Sequence, residues 1–121
     1  MFEDNHMKLK EVQRLLIRRM MAEEGKTMST RRKNVPTKIW GASAWKFLES
    51  VVQGYPKEAG AHDRMMMIDF LTSLGSALPC QKCRLDYKKF ISKYPPTEYV
   101  ATRSMVRKWL KAYKSNINKQ Q

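Results

Sequence analysis

Apolar residues recur at helical spacing in several separate stretches of this chain, and glycine or proline stands between most of them. The spacing predicts helices over residues 38–53, 61–78 and 79–93, and a last helix from 97 or 104 to 116. No stretch of useful length alternates apolar and polar residues as a half-buried strand would. The sequence therefore predicts an all-α fold, an antiparallel four-helix bundle joined by short loops, with an extra N-terminal helix.

The expected helix ends follow from capping and helix-breaking residues. Thr37 is the expected N-cap of the helix over 38–53, and Gly54 and Pro56 end that helix. Pro79 suits the first turn of the helix over 79–93, since a helix start needs no N–H there. The side chains expected to face the core are those of Ile39, Trp40, Trp45, Leu48, Val51, Val52, Met65, Ile68, Leu71, Thr72, Leu74, Leu78, Leu85, Phe90, Ile91, Val100, Met105, Val106, Trp109, Leu110 and Tyr113, with Gly75 beside them and Met66 and Met67 filling gaps.

The extra helix is predicted over residues 1–21, where basic side chains flank an apolar stripe. A polar segment over 23–36 reads as a linker. The chain is thus expected to divide into a basic N-terminal helix and linker, 1–35, and a helical domain, 36–121. The helix could dock on the body or on a partner, or lie on an anionic membrane surface. Its stripe consists of Met7, Leu9, Val12, Leu15, Leu16 and Met20.

The charge is strongly unbalanced, with 24 Lys and Arg against 11 Asp and Glu, a formal net charge of +13. Such an excess favours an acidic partner, nucleic acid or an anionic surface. No zinc finger, RRM-like signature or Gly-rich phosphate loop accompanies it. No apolar run approaches the ~20 residues that span a bilayer, so no transmembrane segment is expected.

The only two cysteines, Cys80 and Cys83, are spaced Cys-x-x-Cys. Such a pair can be half of a zinc site, a redox dithiol, or two inert core cysteines. Zinc would need two more ligands, and His6 and His62 are not in finger-like spacing, so no metal site is expected. A helix start, with Lys82 and Arg84 close by, should favour the thiolate and thus a redox dithiol.

Several motifs stand around the dithiol in a set order. Taken together over residues 38–118, their order and spacing resemble the Erv/ALR family of FAD-dependent sulfhydryl oxidases, and the chain looks most like the compact viral members. The motifs are Trp40-Gly41 followed by Trp45, then Tyr55-Pro56, then Leu78-Pro79-Cys80-Gln81-Lys82-Cys83 with Tyr87 four residues on, and finally Trp109 and Asn118.

The resemblance implies a helical bundle that holds FAD beside the dithiol and passes electrons from substrate thiols to flavin and then oxygen. It makes Cys80 the outer sulfur that exchanges with substrate, and Cys83 the inner sulfur that faces the flavin. Gly41 would let the backbone approach the cofactor, and Trp45 would line its pocket. The other FAD contacts that the resemblance implies are Tyr87, Trp109, Tyr113, Lys114 and Asn118.

Partners and location follow from the same resemblance. The expected substrates are thiol-containing proteins, among them a redox protein with its own dithiol, and a homodimer could form through the Met65–Met67 helix. A viral member would act in the host cytoplasm or the virion, and a cellular one in the mitochondrial intermembrane space.

The chain departs from the family pattern at four positions. Ala42 replaces an Arg, Ser115 replaces an Asn, and Glu49 and Lys114 each replace a His. These departures leave two alternatives to an oxidase. One is a degenerate oxidase fold without FAD, serving as a basic structural or interaction protein in a virion or on nucleic acid. The other is a flavin-free dithiol exchanger.

Overall fold

The structure, a computed structural model, describes residues 10–19 and 32–120, with the side chains of 119 and 120 left out. Within these ranges it contains α-helices, one short 3-10 helix and no β-strand; Glu58 and Thr102 form an isolated bridge. The helices are α1 (residues 10–19), α2 (Thr37–Gln53), α3 (Ala61–Ala77), α4 (Gln81–Lys93) and α5 (Arg103–Gln120), and the 3-10 helix is Pro96–Glu98.

Helices α2 to α5 form the predicted antiparallel four-helix bundle. Helix α2 packs against α5, while α3 packs against α4 and the 3-10 helix. Large rings fill the centre: Tyr87, Phe90 and Trp109 are all at most 4% exposed, and the Phe90 and Trp109 centroids lie 5.4 Å apart. Burying three such side chains contributes several kcal/mol of hydrophobic stabilisation, at about 25 cal/mol per Å² of apolar surface. The all-α prediction is confirmed.

Several helix ends differ from the predictions. Helix α2 begins at Thr37, with Pro36 as N-cap, so Thr37 is not the cap. Helix α4 begins at Gln81 with Cys80 as N-cap, and Pro79 stays outside because its carbonyl accepts a hydrogen bond from another segment. The last helix begins at Arg103, after the 3-10 turn, and continues four residues past Asn116 to Gln120.

Two residues expected in the core are instead exposed. Ile39 is 67% exposed because it lies nine residues, about half a turn of helical phase, from the buried Leu48. Leu85 is also exposed, at 44%. The side chains that α4 buries include Arg84, Tyr87, Lys88 and Ile91, so Leu85 lies off the buried face of that helix. Of the two gap-filling methionines, Met67 is buried and Met66 is exposed.

Helix α1 docks on α3 through a polar contact. Gln13 is 1% exposed, and its Nε2 donates to Thr72 Oγ1 at 2.6 Å. Ile17 packs against the core, whereas Leu15 of the predicted apolar stripe is 62% exposed. The prediction that the apolar stripe forms the buried face of α1 was therefore partly wrong. Met7, Leu9 and Met20, with the rest of residues 1–9 and 20–31, lie outside the described residues.

The described end of the predicted linker is bound to the last turn of α3 and to the loop before the dithiol. Arg32 Nη1 donates to the Ser76 carbonyl at 2.6 Å, and the Val35 N–H donates to the Pro79 carbonyl at 2.7 Å. The division of the chain near residue 35 stays a prediction. Over residues 10–19 and 32–120, no helix is long and apolar enough to cross a bilayer.

Candidate active site

The dithiol lies at the N-terminus of α4. Cys80 is the N-cap, in extended conformation, and its Sγ accepts a hydrogen bond from the Cys83 backbone N–H at 3.2 Å. The sulfur thus takes the place of the side-chain oxygen that usually caps a helix. Asn34 Oδ1 accepts from the Gln81 N–H at 2.8 Å, so the first turn of α4 is held from two sides. Both cysteines are partly buried.

The electrostatics of Cys83 contradict the sequence-based expectation. Burial, followed by the side-chain hydrogen bond with Cys80, raises the pKa of the Cys83 thiol to about 12. The charge of Lys82 lowers this pKa less than burial and the Cys80 hydrogen bond raise it, and both expected cationic partners have other contacts. Lys82 Nζ lies 3.4 Å from an Asp86 carboxylate oxygen, and Arg84 is buried with Nη1 donating to the Leu78 carbonyl at 2.8 Å. Cys83 therefore holds its proton at neutral pH.

A cavity opens beside the dithiol. Its volume of about 460 Å³ is within the usual size range of small-ligand pockets. Its wall is mainly aliphatic and aromatic, with a few polar groups, the chemistry expected for a flat aromatic ligand. Six predicted site residues meet there: Gly41, Trp45, Cys80, Cys83, Tyr113 and Asn118. The other lining residues are Thr37, Trp40, Ala42, Ala44, Leu48, Leu74, Leu78, Lys82, Asp86 and Ile117.

Gly41 is open toward this cavity. A Cβ built at Gly41 would meet no atom nearer than Thr37 Cβ, at 4.0 Å. Packing within the protein therefore does not require a glycine in this helix, where glycine costs about 1 kcal/mol relative to alanine. A bare backbone on the cavity wall is what a close-lying ligand would need.

Lys114 stands beside the cavity rather than in its wall. Its Nζ lies 5.4 Å from the centre of the Trp45 ring and 3.6 Å from Glu49 Oε1. Tyr113, one residue earlier, has its ring centroid 5.6 Å from that of Trp45. Burial raises the pKa of the Tyr113 hydroxyl, so it stays a neutral donor. Together these residues join α2 to α5 at the Trp45 wall.

The structure separates two predicted cofactor residues from the cavity. Tyr87 is fully buried, and its hydroxyl donates to the Leu71 carbonyl. Trp109 is 1% exposed, with Nε1 donating to the Tyr94 carbonyl at 2.9 Å. Tyr87 contacts the cavity residue Tyr113 edge to face, at 5.0 Å. Both residues form the core behind the site and support its wall.

Sequence reasoning missed the role of several lining residues. Trp40, whose Nε1 donates to the Val35 carbonyl at 2.8 Å, shares a helix face with Ala44 and Trp45. The periodic spacing of these residues from Thr37 to Leu48 was a usable signal. Asp86 lies three residues after Cys83, so helical spacing could also have predicted that the two side chains are neighbours on α4.

Comparison with known proteins agrees with this arrangement. The sequence profile of the Erv1 / Alr family matches residues 42–121. The "Probable FAD-linked sulfhydryl oxidase" of Acanthamoeba polyphaga mimivirus is 37% identical over 71 residues, which are 58% of this chain and 50% of that protein. The "Mitochondrial FAD-linked sulfhydryl oxidase" of Saccharomyces cerevisiae is 29% identical over 79 residues, 65% of this chain and 41% of that protein. The chain thus spans half or less of the length of these relatives.

Proposed function

This chain belongs to the Erv1 / Alr family, and from that membership we propose that it is an FAD-linked thiol oxidase that forms disulfides in other proteins. One observation carries the proposal: Cys80 and Cys83 line the same cavity as Gly41, Trp45 and Tyr113. A dithiol in the wall of a ligand-sized, largely apolar cavity can exchange with substrate on one side and with a bound redox group on the other.

The proposed exchange begins with the oxidised pair. A substrate thiolate attacks Cys80 Sγ, which forms a mixed disulfide as the Cys80–Cys83 bond breaks and Cys83 takes up the electron pair and a proton. A second substrate thiolate attacks the substrate sulfur of the mixed disulfide and releases Cys80. The substrate is left as a disulfide and the pair as a dithiol. Two electrons and two protons have moved to the enzyme.

Return to the disulfide requires that Cys83 lose its proton, because its pKa lies near 12 in the dithiol. Asp86 is the acidic side chain among the described lining residues, and we assign it the role of proton acceptor. Its carboxylate lies 3.4 Å from Lys82 Nζ. FAD, when bound, would supply the two-electron acceptor for the dithiol and pass the electrons to oxygen.

The residues around the cavity fit such a cofactor. Trp45 and Tyr113 offer aromatic faces for a flat ring system, and Gly41 leaves room for it. Lys114 can meet a phosphate as a point charge, and Asn118 can donate from its amide. Tyr87 and Trp109 support these contacts from the core and do not take part in them.

The substrates we propose are proteins with accessible thiols, among them a redox protein with its own dithiol. This sequence contains only Cys80 and Cys83, so it has no second pair to relay electrons to the first. We therefore propose that substrate thiols exchange with Cys80 itself.

We also propose a homodimer through α2 and α3. Phe47 is 60% exposed and Met66 is 52% exposed, and the Phe47 ring lies edge to face with Phe70 at 6.5 Å between centroids. Exposed aromatic and methionine side chains across two adjacent helices are typical of a self-association surface. A second copy would cover the same patch on both subunits in a twofold dimer.

The central proposal is tested with the purified protein. We expect flavin absorbance that stays with the protein through gel filtration, and oxygen consumption with dithiothreitol as thiol substrate. Cys80→Ala and Cys83→Ala should retain flavin and lose oxygen consumption. A colourless, well-folded protein whose Cys80→Ala variant behaves identically would instead support a basic interaction protein. Thiol exchange without oxygen consumption would support a flavin-free exchanger.

A further inference from the structure

We propose that a cleft between α1 on one side and the end of α4 with the segment after it on the other binds an acidic segment of a partner protein. The cleft, here called the α1 cleft, has a volume of about 310 Å³. Its α1 side presents Lys10, Arg14 and Arg18, and its other side includes Ser92 and Glu98. None of these residues lines the cavity beside the dithiol, so the α1 cleft is a separate site.

The cations of the α1 cleft form one row. Lys10, Arg14 and Arg18 recur every four residues, which places them on one face of α1. Among the described residues, none of the three forms an ion pair. Three cations in a row along a helix produce a positive potential. The carboxylates of an extended acidic segment can pair with these cations, one carboxylate per helical turn.

A buried amide points to the polar groups that the ligand must carry. Gln13 also lines the α1 cleft; it is 1% exposed, and its Oε1 accepts no hydrogen bond from the described residues. The other end of the amide is fixed by the bond from Nε2 to Thr72 Oγ1. A buried acceptor without a donor is destabilising, so a ligand that brings an N–H into the cleft gains a hydrogen bond there. A peptide backbone carries such N–H groups at every residue.

The wall of the α1 cleft favours a peptide over a nucleic acid. Its described lining contains no aromatic side chain on which a base could stack. The Glu98 carboxylate can accept hydrogen bonds from peptide N–H groups, which a phosphate backbone does not carry. An acidic protein segment therefore meets all three features: the row of cations, the unpaired Gln13 acceptor and the Glu98 carboxylate.

The α1 cleft lies at the far end of α4 from the dithiol. Cys80 caps the start of α4 and Ser92 lies in its last turn, so twelve residues of helix, about 18 Å, separate them. An extended chain covers that distance with about six residues. A substrate anchored by an acidic segment could thus place a nearby cysteine at Cys80; this step rests on the proposed function, whereas binding to the α1 cleft does not.

The test is direct binding to the full chain, independent of activity. The probe is a short fluorescein-labelled peptide of alternating glutamate and glycine, followed by fluorescence anisotropy at several salt concentrations. We expect binding that weakens as salt rises, and no binding of the same peptide with glutamine for glutamate. Arg14→Glu combined with Arg18→Glu should weaken binding by about tenfold or more. Gln13→Met, which leaves the charge unchanged, should also weaken it.

The matched control carries the same change in charge elsewhere. Lys108→Glu combined with Lys111→Glu alters two exposed residues of α5 outside the α1 cleft and should change binding by less than about twofold. Circular dichroism confirms that each variant is folded. Equal losses in both double variants, or no binding of the glutamate peptide, would overturn the proposal. Tighter binding of an oligonucleotide of equal charge, lost in the α1 variant, would replace it with a nucleic-acid site.

Discussion

Lys114 of α5 forms an ion pair with Glu49 of α2, with Nζ 3.6 Å from Oε1, and the same ammonium lies 5.4 Å from the centre of the Trp45 ring. Both partners stand at positions at which the resemblance to the family implies a histidine. In this chain the two positions hold a lysine and a carboxylate that are in contact. The lysine is thereby held at the edge of the proposed cofactor cavity.

If Lys114 meets a flavin phosphate, the two partners should affect cofactor binding in opposite directions. Lys114→Met removes the cation and should weaken FAD binding about fivefold, an effect of about 1 kcal/mol. Glu49→Gln frees the lysine from its competing carboxylate and should leave FAD binding equal or tighter. Titration of each apoprotein with FAD, followed by flavin fluorescence, measures both. Equal weakening in the two variants would show that the pair acts only by joining the helices.

Gly41→Ala should have opposite effects on the stability of the apoprotein and on FAD binding. Alanine adds about 0.5–1 kcal/mol to the free energy of unfolding of the apoprotein, because it favours helix and meets no protein atom closer than 4.0 Å. The same methyl group intrudes on the cavity, so FAD binding should weaken. Thermal unfolding and FAD titration of one preparation give both values. An alanine variant that is stabilised and binds FAD normally would remove Gly41 from the cofactor site.

The raised pKa of Cys83 predicts a pH dependence for the reduced protein. A group whose pKa is higher in the folded state stabilises that state fully below its unfolded pKa, and the stabilisation is lost as the pH rises through the folded pKa. For Cys83 the window runs from 9.0 to about 12. Unfolding free energies of the reduced protein and of Cys83→Ser, compared across this window, isolate the thiol from the buried tyrosines that both share. A difference that stays constant with pH would contradict the assignment.

Tyr87→Phe tests whether Tyr87 belongs to the core or to the cofactor site. The Leu71 carbonyl loses its buried donor, which should cost about 1–2 kcal/mol of unfolding free energy. FAD binding by the folded protein should not change, since Tyr87 does not line the cavity. Tyr55→Phe is the matched control, because Tyr55 makes a similar buried bond to the Val100 carbonyl, at 2.7 Å, away from the cavity. A loss of FAD binding in the Tyr87 variant alone would contradict this placement.

Phe47→Glu should dissociate the proposed dimer with little effect on the monomer. The side chain is 60% exposed, so its replacement should change monomer stability by less than about 0.5 kcal/mol. Sedimentation velocity should show the native chain as a dimer and the variant as a monomer at the same concentration. Leu85→Glu, an exposed apolar residue on α4, serves as control and should leave the dimer intact. A native chain that sediments as a monomer would contradict the proposal.

Helical periodicity was sufficient to predict where α3 begins and where α2 and α4 end, because glycine and proline punctuate the chain at those points. Helical periodicity was less successful in predicting which face of each helix is buried. The expectation for Ile39 was wrong because a wide apolar stripe includes positions half a turn apart, of which the bundle buries only one side. Gln13 was not expected in the core, since burial of a polar side chain depends on a partner, here Thr72, that lies 59 residues away.

The sequence by itself determined the all-α class and the dithiol at the start of a helix, because both depend on spacing along one segment. Only the tertiary structure decided which aromatic residues face the cavity and which the core. Trp45 and Trp109 are equally good candidates on their own helices, and the packing of α2 against α5 places only Trp45 in the wall. Burial in the folded chain raises the pKa of Cys83, although its local helix position and neighbouring cations favour the thiolate. Desolvation depends on what the rest of the chain brings to a site, and no local pattern contains that information.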